Sequence, residues 1–233
     1  MSSPPVTPPD DLRSRVFDAI ARDPVPTRTI GSRRRLGVVM RAAAVVALVW
    51  VAAMIHGPAV RGRPLGYVIE LDGLWLALAV VATWAGVARG RSMLGRPASW
   101  KVLVAGLTPV ALLATWLPVA LEWPQTLHDS SGPRAHLVCV LMTFAFAAGP
   151  LVAFARLRRA SDPVNPRLTG AALGAAAGAW GAGAHALLCG YTSPMHIVLG
   201  HVLPVALLAA LGVVIGDRVV ALRAENVTSG VRC

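Results

Sequence analysis

Three observations predict that this 233-residue chain is an all-α integral membrane protein. Hydrophobic residues make up 55% of it and charged residues only 14%, too little charge for an ordinary soluble domain. The apolar residues gather into six runs of bilayer-spanning length. Basic residues are concentrated in alternate connections, which orients the runs with both termini cytoplasmic. The expected architecture is six transmembrane helices preceded by a short cytoplasmic amphipathic helix. Residues 1–35 form a cytoplasmic segment, 36–217 the bundle and 218–233 a cytoplasmic tail.

The polar, proline-rich start is expected to be retained. The first apolar run begins far from the N-terminus and is too long for the core of a signal peptide. Within this segment Asp10 or Asp11 supplies a cap and Asp23-Pro24 a stop, delimiting about three turns of helix. Leu12, Val16, Phe17 and Ile20 share one face, while Arg13, Arg15, Asp18 and Arg22 remain polar. So short a helix is not stable alone and needs a partner for its apolar face, either another protein or the bilayer surface.

The spans are expected at Leu36–Ile55, Leu71–Ala88, Val102–Leu121, Leu137–Ala155, Leu168–Leu188 and Ile197–Ile215. Arg33, Arg34, Arg35 and Arg41 introduce or open the first. Arg89, Arg91, Arg96 and Lys101 fill the second connection, Arg156, Arg158, Arg159 and Arg167 the fourth, and Arg218 and Arg223 follow the last span. The other connections hold only Arg61, Arg63 and Arg134. A net charge of +11 spread in this way reads as a topology signal and not as a nucleic-acid surface, so no direct nucleic-acid binding is expected.

Glu70 and Asp72 are expected to cap the outer N-terminal end of the second span, where carboxylates meet free N–H groups and the positive end of the helix dipole. In the fifth span Gly170, Gly174, Gly178 and Ala182 recur every four residues, a seam that admits a neighbouring backbone. Pro109, Pro118, Pro150 and Pro204 lie inside spans, where each removes a backbone donor.

In this topology His56, His128, His136, His185, His196 and His201 all fall at the outer side, and Cys139 and Cys189 join them. His136 and Cys139 are i, i+3; His185 and Cys189 are i, i+4. The short link between the fourth and fifth spans makes them antiparallel neighbours, so their outer ends meet. Cys139, Cys189, His185 and His136 form a candidate metal set, and thiolate with imidazole suits zinc or another soft divalent metal. Two other readings stand beside it: a redox-active cysteine pair, and plain packing of small apolar cysteines and interfacial histidines. Cys233 has no local partner in the sequence.

No phosphate-binding glycine loop, nucleophile elbow or HExxH pattern occurs, so an enzyme is not expected. A small polytopic transporter or metal-permeation protein, with the outer Cys and His residues as its entry site, is the rival from another class. It lacks the charges through the span centres that such a protein uses.

The stretch Asp162-Pro163-Val164-Asn165-Pro166-Arg167-Leu168-Thr169-Gly170-Ala171-Ala172-Leu173-Gly174, then Cys189, resembles the NrsF-type six-span membrane anti-sigma factors of proteobacteria. So does the short N-terminal helix ending at Asp23-Pro24. The resemblance covers nearly the whole chain and is most specific between Arg156 and Arg218. The plan is also similar to that of the myxobacterial light-response anti-sigma factor. The resemblance implies a bacterial inner-membrane stress-response regulator that sequesters an extracytoplasmic-function sigma factor. It releases that factor on an envelope, metal, redox or light-derived signal. Leu12, Val16, Phe17 and Ile20 would then bind the sigma factor, and the family's functional cysteine pair falls on Cys139 and Cys189 as the sensor. The chain departs from the family pattern at Gly190-Tyr191, where a proline often follows the second cysteine, and at Gly200-His201, where an aromatic pair is common.

Overall fold

The computed structural model of the protein describes residues 64–87, 97–124, 132–159 and 164–221. It also describes the isolated positions Ser14, Asp18, Gly37, Arg41, Ala44, Val45, Leu48 and Ala52. The chain divides into two units, Met1–Ser32 and Arg33–Cys233. In the first, Ser14 and Asp18 are helical and exposed. Leu12, Val16, Phe17 and Ile20 lie outside the described residues, as do most of the expected first span, His56, His128 and Cys233.

The described elements of the second unit are five successive helices: α1 (Leu65–Val87), α2 (Ala98–Glu122), α3 (Pro133–Leu157), α4 (Pro166–Ala186) and α5 (Pro194–Val220). Proline opens α3, α4 and α5 and immediately precedes α2. At the first helical position its missing N–H costs nothing and its fixed φ favours the turn. α1, α2, α3 and α5 are long and apolar enough to cross a membrane. Their outward faces carry exposed Leu107, Leu121, Leu141, Val152, Leu207 and Leu211, an apolar surface suited to lipid and not to water.

The expected fifth span, now α4, is of spanning length but is not among the four that composition marks as membrane-crossing. Every residue from Thr169 to Ala186 is buried. α4 touches the other four helices, so its side chains were selected for close packing and not for contact with acyl chains. Glycine and alanine supply that at the expense of hydropathy. A methyl group at Gly170 would collide with the Gly212 carbonyl oxygen, and one at Gly174 with that of Leu208. One at Gly178 would lie 2.9 Å from Val205 Cα. The reciprocal collisions, Gly212 with Gly170 and Gly216 with Pro166, show two backbones laid directly together. On its other side Gly181 abuts Thr143 and Ala147 of α3.

Tryptophan indoles tie the remaining helices. Trp180 Nε1 donates to Thr83 Oγ1 at 2.7 Å, and that hydroxyl donates to the Ala79 carbonyl. Trp75 Nε1 donates to the Leu112 carbonyl at 3.2 Å, joining α1 to α2. Around these bonds Tyr67, Val68, Leu71, Leu112, Trp116 and Ile197 form an apolar core.

Two expectations are corrected. α1 begins at Leu65, so Glu70 and Asp72 sit one to two turns inside it and do not cap it. The run Leu65–Tyr67 continues the helix although a glycine interrupts it, which moves the boundary outward. Glu70 instead accepts a hydrogen bond from Trp123 Nε1 at 3.3 Å, joining the start of α1 to the end of α2, and Asp72 is buried. Lys101, expected in the second connection, lies instead in the first turn of α2 and is buried; Arg158 stands in the connection just after α3, as expected, and is buried there. Arg167 behaves as an exposed residue and donates to Asp217 Oδ2 at 2.6 Å.

Candidate functional site

Chemically distinctive side chains meet where α3 begins, α4 ends and α5 begins. Cys139 stands in the second turn of α3. Cys189 closes the turn after α4, its N–H donating to the His185 carbonyl at 3.0 Å. Their sulfurs are 3.6 Å apart, both thiols are free, and both residues are buried. Cys189 Sγ also lies 3.2 Å from His196 Nε2 and approaches the Tyr191 carbonyl at 3.8 Å.

The third helix of the site is shaped by one proline. Pro204 has no N–H, so the carbonyl four residues earlier, that of Gly200, loses its helical donor. Here the chain widens into a π-turn over Ile197–Val202, closed by Leu203 N–H to the Val198 carbonyl. Thr143 Oγ1 of α3 donates to the freed Gly200 oxygen at 3.2 Å. Gly200 also admits α3, since a Cβ there would lie 3.1 Å from Cys139 Cβ and 3.3 Å from His196 Nε2.

That widened turn has a chemical consequence. Residues five apart in an α-helix point about 140° from each other, whereas the wider turn of a π-helix returns them to one face. His196 and His201 are five apart, and their ring centroids lie 5.6 Å from each other. Both are wholly buried. One ligand atom from each of Cys139, Cys189, His196 and His201 can be chosen so that all four lie within 4.8 Å of one another.

Aromatic contacts surround the four. His185 stacks on His201 at 5.1 Å and 21°, and Trp75 lies 5.7 Å from His201. His136 and Tyr191 flank His196 at 5.1 and 5.0 Å. The ring nitrogens of His185 and His201 and Nδ1 of His196 are buried and make no hydrogen bond of regular geometry among the described residues, the rings of His185 and His201 approaching only the Cys189 sulfur. Such atoms are expensive to bury without a partner.

Of the expected metal set, the structure brings Cys139 and Cys189 together, while His185 and His136 stand in the surrounding ring, each against one of the other two imidazoles. His196 and His201 each bring a ring nitrogen within 4.8 Å of both sulfurs. The sequence topology puts both at the outer side, but a regular helix sends them to different faces. The signal that finds them is Pro204 four residues after Gly200, which unpairs a carbonyl beside His201.

With this geometry established, comparison with known proteins adds one positive result. Residues 20–221 match the model of the family described as NrsF, negative regulator of sigma F. Leu12, Val16 and Phe17 precede the matched residues, and Ile20 opens them. No curated protein and no solved structure matches the chain. A match over that span establishes that the chain belongs to the NrsF family.

Proposed function

We propose that this chain is a membrane-bound anti-sigma factor that sequesters an extracytoplasmic-function sigma factor and releases it when a signal reaches the thiol–imidazole end of the bundle. The observation that carries the reading is the family match from residue 20 to residue 221. The coarse role that follows is negative regulation of a sigma factor, which is regulatory and not enzymatic. The finer parts rest on the sequence. Alternation of arginine-rich and arginine-poor connections supports six spans with both termini cytoplasmic in a bacterial inner membrane. The apolar stripe Leu12, Val16, Phe17 and Ile20 is the sigma-binding face, because it is the amphipathic segment on the side where a sigma factor resides.

Cys139 and Cys189 are the sensor in this reading, and their 3.6 Å approach between two helices supports it. A ligand or oxidant acting there draws α3 and α4 together. The shift reaches the other end only if the bundle has two discrete arrangements. Replacing Val16 and Ile20 together by Asp puts charge into the proposed interface, where an unpaired buried carboxylate costs on the order of several kcal/mol. Sigma-dependent transcription is then expected to become constitutive while the chain remains membrane-inserted. Full repression by the double variant places the sigma contact elsewhere.

A further inference from the structure

Whatever passes the signal, three buried imidazoles gathered around two buried thiols, with no other hydrogen-bond partner for their rings among the described residues, need an explanation of their own. We infer that Cys139, Cys189, His196 and His201 are the ligands of a resident tetrahedral metal site, and that its ion is zinc. This deepens the sensor reading above and depends on it only for its regulatory meaning.

Distances separate the candidate chemistries. A disulfide holds its sulfurs about 2.05 Å apart. Zinc–sulfur bonds of about 2.3 Å at tetrahedral angles place two sulfurs about 3.8 Å apart, and zinc–nitrogen bonds of about 2.0 Å place sulfur and nitrogen about 3.5 Å apart. The observed separations are 3.6 Å between the sulfurs and 3.2 Å between Cys189 Sγ and His196 Nε2. All four donors fall within 4.8 Å of one another, so adjustments of side-chain rotamers close the tetrahedron.

Charge makes the same choice. Two thiolates and two neutral imidazoles around a divalent ion sum to zero, which suits a fully buried site, because an uncompensated charge there is costly. Binding releases the two thiol protons to solvent, and no oxidant or reductant takes part. Mixed sulfur and imidazole donors in tetrahedral array favour zinc over harder cations. His185 stacks on His201 beside this site.

The test uses the full-length chain carrying Cys233→Ser, so that two thiols remain. It is extracted in mild detergent from cells supplied with zinc. Metal analysis is expected to find one zinc per chain, and His196→Gln and His201→Gln are expected to lower zinc affinity by about tenfold or more. Because a histidine variant can fail to fold, the parent chain supplies a second measurement: its thiols are expected to alkylate slowly until a chelator is added and rapidly afterwards. Zinc retained at full affinity in His201→Gln overturns the assignment. So do thiols whose alkylation ignores the chelator, or a zinc-free chain with its two sulfurs joined. Copurifying sigma factor is measured in the same preparations. A zinc-bound chain without it contradicts the regulatory role alone, and a zinc-free chain that holds it contradicts the metal site alone.

Discussion

The α4–α5 seam and the thiol–imidazole cluster at its end, where α3 joins the same two helices, are built by opposite rules. Along the seam Gly170, Gly174, Gly178, Gly212 and Gly216 remove the side chains that would separate the backbones, so that main chain lies directly on main chain. At the cluster two thiols and three imidazoles are buried together, and among the described residues the three rings have no hydrogen-bond partner but the Cys189 sulfur. The seam already fixes where α4 and α5 run. Since the bundle does not need the cluster to align its helices, chemistry is the better explanation of those five residues.

The contrast can be broken most severely at the seam. Gly174→Val drives a side chain into the Leu208 carbonyl, and overpacking against rigid backbone costs about 3 kcal/mol. The chain is expected to lose most of its thermal stability in detergent, or to fail to accumulate in the membrane. Wild-type stability would mean that α4 and α5 separate easily and that the seam is not what aligns them.

A smaller loss is expected where the two regions join. Thr143→Val keeps the shape of the side chain but strips the donor from the Gly200 carbonyl, leaving a buried acceptor unsatisfied at about 1–3 kcal/mol. Unfolding in a denaturing detergent should shift accordingly. The cluster should also loosen, read as faster alkylation of Cys139 and Cys189. If stability falls and alkylation does not change, the π-turn is held by Pro204 alone.

The least effect belongs to the far end of the bundle. Arg167→Ala removes an exposed ion pair with Asp217, and such pairs contribute less than about 1 kcal/mol. Stability within about 0.5 kcal/mol of wild type, falling no further with added salt, is the expected result. A larger change would move part of the seam's role to this pair.

The same contrast explains what could be read from the residues alone. α1, α2, α3 and α5 are legible because lipid-facing surface must be continuously apolar, which leaves runs that need no tertiary knowledge. Helix starts are less so: Leu65 and Pro133 begin their helices several residues before the apolar runs, because a helix can extend through small and polar residues. α4 is visible through its glycine spacing and not through hydropathy, since it faces protein all round. At the cluster Cys139 and Cys189 follow from the antiparallel pairing of α3 and α4. His196 and His201 do not, because a regular helix keeps residues five apart on different faces, and the π-turn that reunites them is a local response to Pro204 and Thr143. Asp72 and Lys101 differ from the sequence expectation as well, both charged residues that lie within helices and are buried.

The regulatory role is tested most directly by isolating the full-length chain in mild detergent from unstimulated cells and asking what accompanies it. One sigma factor per chain is expected with the native sequence, and none with Val16→Asp and Ile20→Asp combined. A native chain that carries no sigma factor, or a double variant that carries as much as the native one, would contradict sequestration through the N-terminal segment.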